Sequence, residues 1–301
     1  MRSDDRPQLA GIALSSPDKA LFGEAGISKL DLARHYERVA GRMLPHVEKR
    51  LVSLVRCPDG QGSPCFFQRH GGKGFPEAVG RMEITEKSGE RDDYLHIDDL
   101  AGIIAAVQMS TLEFHIWGSR IDRLDAPDRL VFDLDPDEEL DFAAVRSAAF
   151  AVRTRLSDLG LESQSLLTGG KGIHVVAPLE RRREWPDVKA FARGVARKLS
   201  KDEPDRFLAE ASKEKRTGRV FVDWLRNERA ATAIAPYSTR ARPGAPVATP
   251  VSWAELKDIE AANAFTLADM AARLSKPDPW AESARWRQSI TADMLRAVDA
   301  G

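Results

Sequence analysis

Residues 129–136 read RLVFDLDP, an apolar run that carries aspartates two positions apart and is then stopped by proline. Such a run is a strand, because β-branched and aromatic side chains fit a pleated surface and successive side chains turn to opposite faces. Leu134 then faces the core, while Asp133 and Asp135 share the other face. Two carboxylates held that close repel, and one has its pKa raised unless a cation keeps both ionised. An oxygen-only donor set favours a hard ion, Mg2+ or Mn2+, over zinc. Residues 219–227, RVFVDWLRN, repeat the device: an apolar run ends at Asp223, followed by Trp224 and the cations Arg226 and Arg229. Three carboxylates at strand ends can bind two ions, which clamp the attacking and leaving oxygens of a phosphoryl transfer. A surface turn, a calcium loop or, for Asp223, a helix cap are the plainer uses of such acids.

Between the acidic runs lies LLTGGKGIHVVAPL, residues 166–179, in which Gly169, Gly170 and Gly172 let backbone approach an anion beside Thr168, Lys171 and His174. It is neither a Walker loop nor a dinucleotide-binding fingerprint, because the glycine spacings of both are absent. The same segment also makes a sound hairpin turn with an exposed lysine. Downstream, YSTRAR places Arg240 and Arg242 after an apolar run, and arginine suits bidentate phosphate contacts. His115, in EFHIWG, lies on an expected strand, where a single histidine is usually a satisfied core or rim residue.

The 301 residues are 43% hydrophobic, enough for one large core or two fused lobes. Lys+Arg (45) and Asp+Glu (46) nearly cancel, so net charge selects no class of partner. Its distribution is uneven: residues 86–141 carry sixteen acids against five bases, and residues 181–219 thirteen bases against seven acids. Such runs are often solvated helix faces, but they also suit cations and phosphates respectively. Cys57 and Cys65 form no disulfide framework and make a poor zinc site, so two buried thiols in a reducing cytosol are expected. The opening MRSDDRPQLAG lacks an apolar signal core, and no run reaches the ~20 apolar residues of a membrane span. A soluble, cytoplasmic protein follows as the expectation.

Periodicity places helices at 29–44, 97–108, 142–159, 186–199, 253–262 and 266–274. Strands are expected at 52–56, 63–69, 113–117, 129–135, 163–167, 173–178, 220–224 and 231–235. Helices and strands mix along the chain, which is an α/β or α+β pattern, and no linker separates domains.

The order DLDP, TGGKGIHV, FVDWLRN, YSTRAR resembles the polymerase domain of bacterial DNA ligase D, a branch of the archaeo-eukaryotic primase superfamily used in non-homologous end joining. The likeness spans nearly the whole chain, through SSPDKALFGEAGISKLDLARHYERVA, RCPDG, CFFQRH and VQMSTLEFHIWG. It implies a primase-like α/β fold, with an RRM-like antiparallel catalytic sheet and a second small lobe around one cleft, in one catalytic domain over residues 1–301. It implies a primase-type polymerase that adds NTP or dNTP to DNA 3′ ends, prefers manganese and favours ribonucleotides. Asp133, Asp135 and Asp223 then become ligands of two Mn2+ or Mg2+ ions. Thr168, Lys171, His174 and Arg240 hold the triphosphate, with Arg226 nearby, and His115 becomes a nucleotide contact. Ser16, Lys19 and Lys29 take the 5′ phosphate of a gapped duplex, and Arg56, Phe66 and Phe67 engage the DNA end by stacking. Two positions depart from the family: Thr168 stands where Ser is usual, keeping the hydroxyl, and Trp224 where Tyr is common, leaving its role open.

Implied partners are DNA ends, nucleotides, a ligase domain and a Ku-like end-binding protein, in the bacterial cytoplasm at the nucleoid and away from membranes. Two other classes compete. An aspartate-nucleophile phosphatase also opens with an apolar run and DxD, but expects Thr or Val where this chain has Asp137. A catalytically silent DNA-end binder would use Lys19, Lys29 and the phenylalanine pair, yet gains nothing from acids facing DNA.

Overall fold

A computed structural model of the chain describes residues 6–72, 74–86, 89–212 and 214–299. Two compact units are present, each assembled from several stretches of chain. The first comprises Met1–Ile116, Ile234–Ala248 and Phe265–Lys276; the second comprises Trp117–Ala233, Thr249–Ala264 and Pro277–Gly301.

In the first unit the strand Arg50–Arg56 pairs antiparallel with Thr111–Trp117, with Arg91–Ile97 and with the short strand Phe66–Gln68. Gly80–Thr85 adds to the far side of Arg91–Ile97. Helix Lys29–Val47 begins at a capping box, in which the Ser28 hydroxyl accepts from the Asp31 amide and the Asp31 carboxylate accepts from the Ser28 amide. Its residues Leu32, Ala33, Tyr36, Val39 and Met43 recur at helical spacing and are buried in the core with Leu54, Ile104 and Phe114. The expected helix at 97–108 starts later, at Leu100, because Ile97 ends a strand and Asp99 caps the helix by accepting from the Gly102 amide.

The cysteines correct the expectation of two thiols. Cys57 and Cys65 are joined in a disulfide; Cys57 is buried and Cys65 exposed. The register explains it: Arg56 lies opposite Phe66, so the residues just beyond meet across the hairpin, with Cα atoms 4.4 Å apart.

The second unit is built on a six-stranded sheet in the order Phe207–Leu208, Val220–Asp223, Arg129–Pro136, Ile173–Pro178, Gln164–Leu167, Thr249–Val251. Every neighbouring pair is antiparallel except the first. Helix Phe142–Asp158 packs on the central strands Arg129–Pro136 and Ile173–Pro178, and helix Trp185–Asp202 also packs on Arg129–Pro136. Leu130, Phe132 and Leu134 point into this core, as the alternation demands. The expected helix at 253–262 is a single turn, Trp253–Leu256, and that at 266–274 is a 3-10 turn, Leu267–Asp269, running into Met270–Leu274.

Candidate active site

The acids of the second unit meet at the middle of its sheet. Asp133 is paired across one strand boundary with His174 and across the other with Asp223. Asp135 lies two residues along on the same face, and carboxylate oxygens of Asp133, Asp135 and Asp223 all lie within 4.8 Å of one another. Burial raises the Asp135 carboxyl and the charge of Asp133 adds to this, so that despite Arg216 it is pushed up to about 6. Burial likewise raises Asp223, against the pull of Arg226. Arg226 bridges two acids, Nη2 standing 3.2 Å from Asp133 and Nε 3.0 Å from Asp223. Burial opposes the guanidinium charge, but Asp133, Asp223 and Asp135 together hold its pKa above the ordinary value. Arg226 and Arg216 against three carboxylates still leave the cluster one positive charge short, and an oxygen-only trio is the donor set of a hard divalent ion.

The glycine-rich segment is the hairpin loop between Gln164–Leu167 and Ile173–Pro178. Its Thr168 hydroxyl donates to the Gly172 carbonyl at 2.9 Å and accepts from the Gly170 amide at 3.3 Å, which closes the loop on itself. Gly169 adopts φ +68°, a conformation that residues other than glycine disfavour. At Gly172 a Cβ would lie 2.4 Å from the Leu134 carbonyl oxygen, so only glycine lets the loop press against the acid-bearing strand. Lys171 projects into solvent with Nζ 3.9 Å from Glu138. His174 is buried, its Nε2 3.2 Å from Asp133, and its Nδ1 has no hydrogen-bond partner among the described residues. Trp224 is explained: its indole N–H donates to the Ala209 carbonyl at 2.9 Å, and Lys189 lies over its ring.

The remaining candidates belong to the first unit. His115 and Arg240 both reach Glu113, a buried acid on the same strand face as His115. The Glu113 Oε2 atom is 2.7 Å from His115 Nε2 and 3.1 Å from Arg240 Nε. Ser16, Lys19 and Lys29 come together through backbone, the Lys19 amide donating to Ser16 and the Lys29 amide to the Lys19 carbonyl. Ser16 is exposed; Lys19 is half-buried; Lys29 is buried, its ammonium donating to the Ser15 and Gln108 carbonyls at 2.8 and 3.3 Å. Burial, with Lys19 close by, lowers the Lys29 pKa. Phe66 and Phe67 are 45% and 63% exposed, unusual for phenylalanine and suited to stacking on bases. Arg56 lies over the Phe66 ring at 5.4 Å, and its Nε donates to the Met109 carbonyl, which fixes the cation beside the aromatic pair. Two contributors escaped the sequence reading. Glu113 carries a signal, its two-residue spacing from His115 on a strand; Arg216, 4.0 Å from Asp135, carries none, because it arrives from a separate 3-10 turn.

A mixed α/β chain whose antiparallel sheet gathers three carboxylates beside a glycine-lysine hairpin has the make-up of a divalent-metal-dependent nucleotidyltransferase of the archaeo-eukaryotic primase type. Residues 28–280 match the model of the LigD primase-polymerase domain, and the chain belongs to that family. It is 38% identical over 299 residues to the multifunctional non-homologous end joining protein LigD of Pseudomonas aeruginosa, a match that covers 98% of this chain and 36% of the relative. The bifunctional LigD of Bacillus subtilis is 27% identical over 272 residues, covering 90% of this chain and 44% of that protein. The polymerase domain of Mycobacterium tuberculosis ligase D, solved in complex with DNA, superposes with a TM-score of 0.84 at 31% identity, over 91% of this chain and 98% of that one. The chain thus spans 36% and 44% of the length of these LigD relatives, less than half of each. Among the described residues no helix is long and apolar enough to cross a membrane.

Proposed function

We propose that this chain extends DNA 3′ ends at gaps and breaks with NTP or dNTP, as the polymerase portion of an end-joining ligase, its two units acting as one catalytic domain over residues 1–301. The convergence of Asp133, Asp135 and Asp223 carries the reading. These acids would hold two ions, Mn2+ or Mg2+, which supply charge neutralisation at the phosphates and a lowered pKa at the attacking hydroxyl. The 3′ hydroxyl gives up its proton to solvent as its oxygen forms the new bond to the α-phosphorus, and the bond from the α-phosphorus to the departing pyrophosphate breaks.

The protein's own groups do the rest. Arg226 and His174 flank the acids, and the loop closed by Thr168 offers Lys171 to the triphosphate. His115 and Arg240, in the other unit, are the remaining nucleotide contacts. Lys171 and Arg240 balance charge as it gathers on the departing pyrophosphate. Ser16, Lys19 and Lys29 bind the 5′ phosphate across a gap, Lys29 supplying a charge held in place by two carbonyls. Arg56, Phe66 and Phe67 engage the DNA end. The proposed setting is the bacterial nucleoid, with a ligase domain and a Ku-like end-binding protein as partners.

The test is extension of a gapped, 5′-phosphorylated duplex with each NTP and dNTP in Mn2+ or Mg2+. The D133A/D135A double variant should bind this duplex yet show no extension. Undiminished extension by the metal-replete double variant would reject the assignment, and a phosphoaspartate trapped on Asp133 would favour a phosphatase.

A further inference from the structure

Glu113 is a charged residue where charge is costly: it is buried on a central strand of the first unit. Three groups converge on its carboxylate. Oε2 faces the ring nitrogen Nε2 of His115 at 2.7 Å and the guanidinium Nε of Arg240 at 3.1 Å, while Oε1 accepts from the Ala241 amide at 2.7 Å. The His115 ring is in turn packed near Phe67, with centroids 5.4 Å apart. We infer that Glu113 is a positioning residue for the nucleotide: one carboxylate fixes the imidazole of His115, the guanidinium of Arg240 and the backbone that carries Arg240.

Two strands of chemistry support this. A carboxylate facing Nε2 selects the ring tautomer protonated there, so that Nδ1 is the acceptor of the neutral imidazole. A guanidinium oriented by a buried carboxylate loses less rotamer freedom when it meets a phosphate. Burial would push the Glu113 carboxyl up, but the His115 hydrogen bond and the charge of Arg240 outweigh it and hold it at about 2, so the anchor stays ionised. The inference rests on the reading of His115 and Arg240 as nucleotide contacts.

The experiment measures kcat and the NTP KM of gap extension for wild type, E113Q, E113A, H115A and R240A, with the His115 ring nitrogens followed by 15N NMR. E113Q keeps the shape but places an amide donor where a charged acceptor stood. Its NTP KM should rise about tenfold, the scale of one charge-assisted hydrogen bond, with kcat changed much less. The Nε2-protonated ring signal should give way to a tautomer mixture in E113A and, should that variant not fold, in E113Q. Wild-type KM and an unchanged ring signal in E113Q, while H115A and R240A are impaired, would overturn the role of Glu113 alone. Wild-type KM in H115A and R240A would overturn the nucleotide reading, and the inference with it.

Discussion

His35 lies wholly buried in helix Lys29–Val47, its Nε2 3.1 Å from the Tyr237 carbonyl oxygen. Burial lowers its pKa, outweighing the carbonyl's opposite pull, and Arg38 lowers it further, to about 4. The unfolded chain takes up that proton near pH 6.5, so between pH 6.5 and pH 4 the unfolded state binds more protons and stability falls as the solution is acidified. The loss from this group should be roughly 2 kcal/mol between pH 7 and pH 5. Asp135 works the other way, because its raised pKa favours the folded state as pH drops through about 6. Urea unfolding of wild type and H35Q at the two pH values separates them: the wild type should lose about 2 kcal/mol more than the variant. Strand parity made Asp133 and Asp135 legible as a pair from sequence, and Asp223 as their companion. The bond from Glu113 to Arg240 was not legible, since it joins positions far apart in the chain.

At the scale of elements, the hairpin that carries Phe66 and Phe67 is tied by Cys57–Cys65 where its strands meet the connecting loop. The strand Phe66–Gln68 is only three residues long, so the covalent tie limits what the unfolded chain can do around it. Closing a loop of this length should contribute about 2–3 kcal/mol. C65S should therefore lower the free energy of urea unfolding by that amount, moving the midpoint below that of the oxidised wild type, and reduced wild type should match the variant. Equal midpoints in all three would mean that the hairpin is held by its ladder alone. The strands Gly80–Thr85 and Arg91–Ile97 went unread because each offers little apolar length: Arg81, Glu83, Thr85, Arg91, Asp92 and Asp93 are exposed, and only Ile84, Tyr94, Leu95 and Ile97 are buried. The strands Arg129–Pro136, Ile173–Pro178 and Val220–Asp223 were readable because they carry runs of valine, leucine, isoleucine and phenylalanine, whereas Phe207–Leu208 and Thr249–Val251, two and three residues long, were not.

For the whole molecule, a net charge of −1 gives no general attraction to DNA, so the proposed function draws its affinity from local groups such as Lys19 and Arg56. A gapped duplex with a 5′ phosphate should bind more tightly than its 5′-hydroxyl counterpart at moderate salt, and K19E should abolish the difference while leaving hydroxyl-duplex binding less affected. Fluorescence anisotropy over a salt series checks this; equal wild-type affinity for both duplexes would remove the 5′-phosphate role. The boundary between the two units was hidden from sequence because the chain returns to the first unit at Ile234–Ala248 and again at Phe265–Lys276, with no linker composition to mark the crossings. The pairing of Asp133 with His174 on one side and Asp223 on the other has a last consequence. Sliding the Asp223 strand by a single position would turn its carboxylate to the opposite face while leaving almost the same helix and strand content. Turnover is therefore a stricter gauge of correct folding here than any spectroscopic measure of secondary structure.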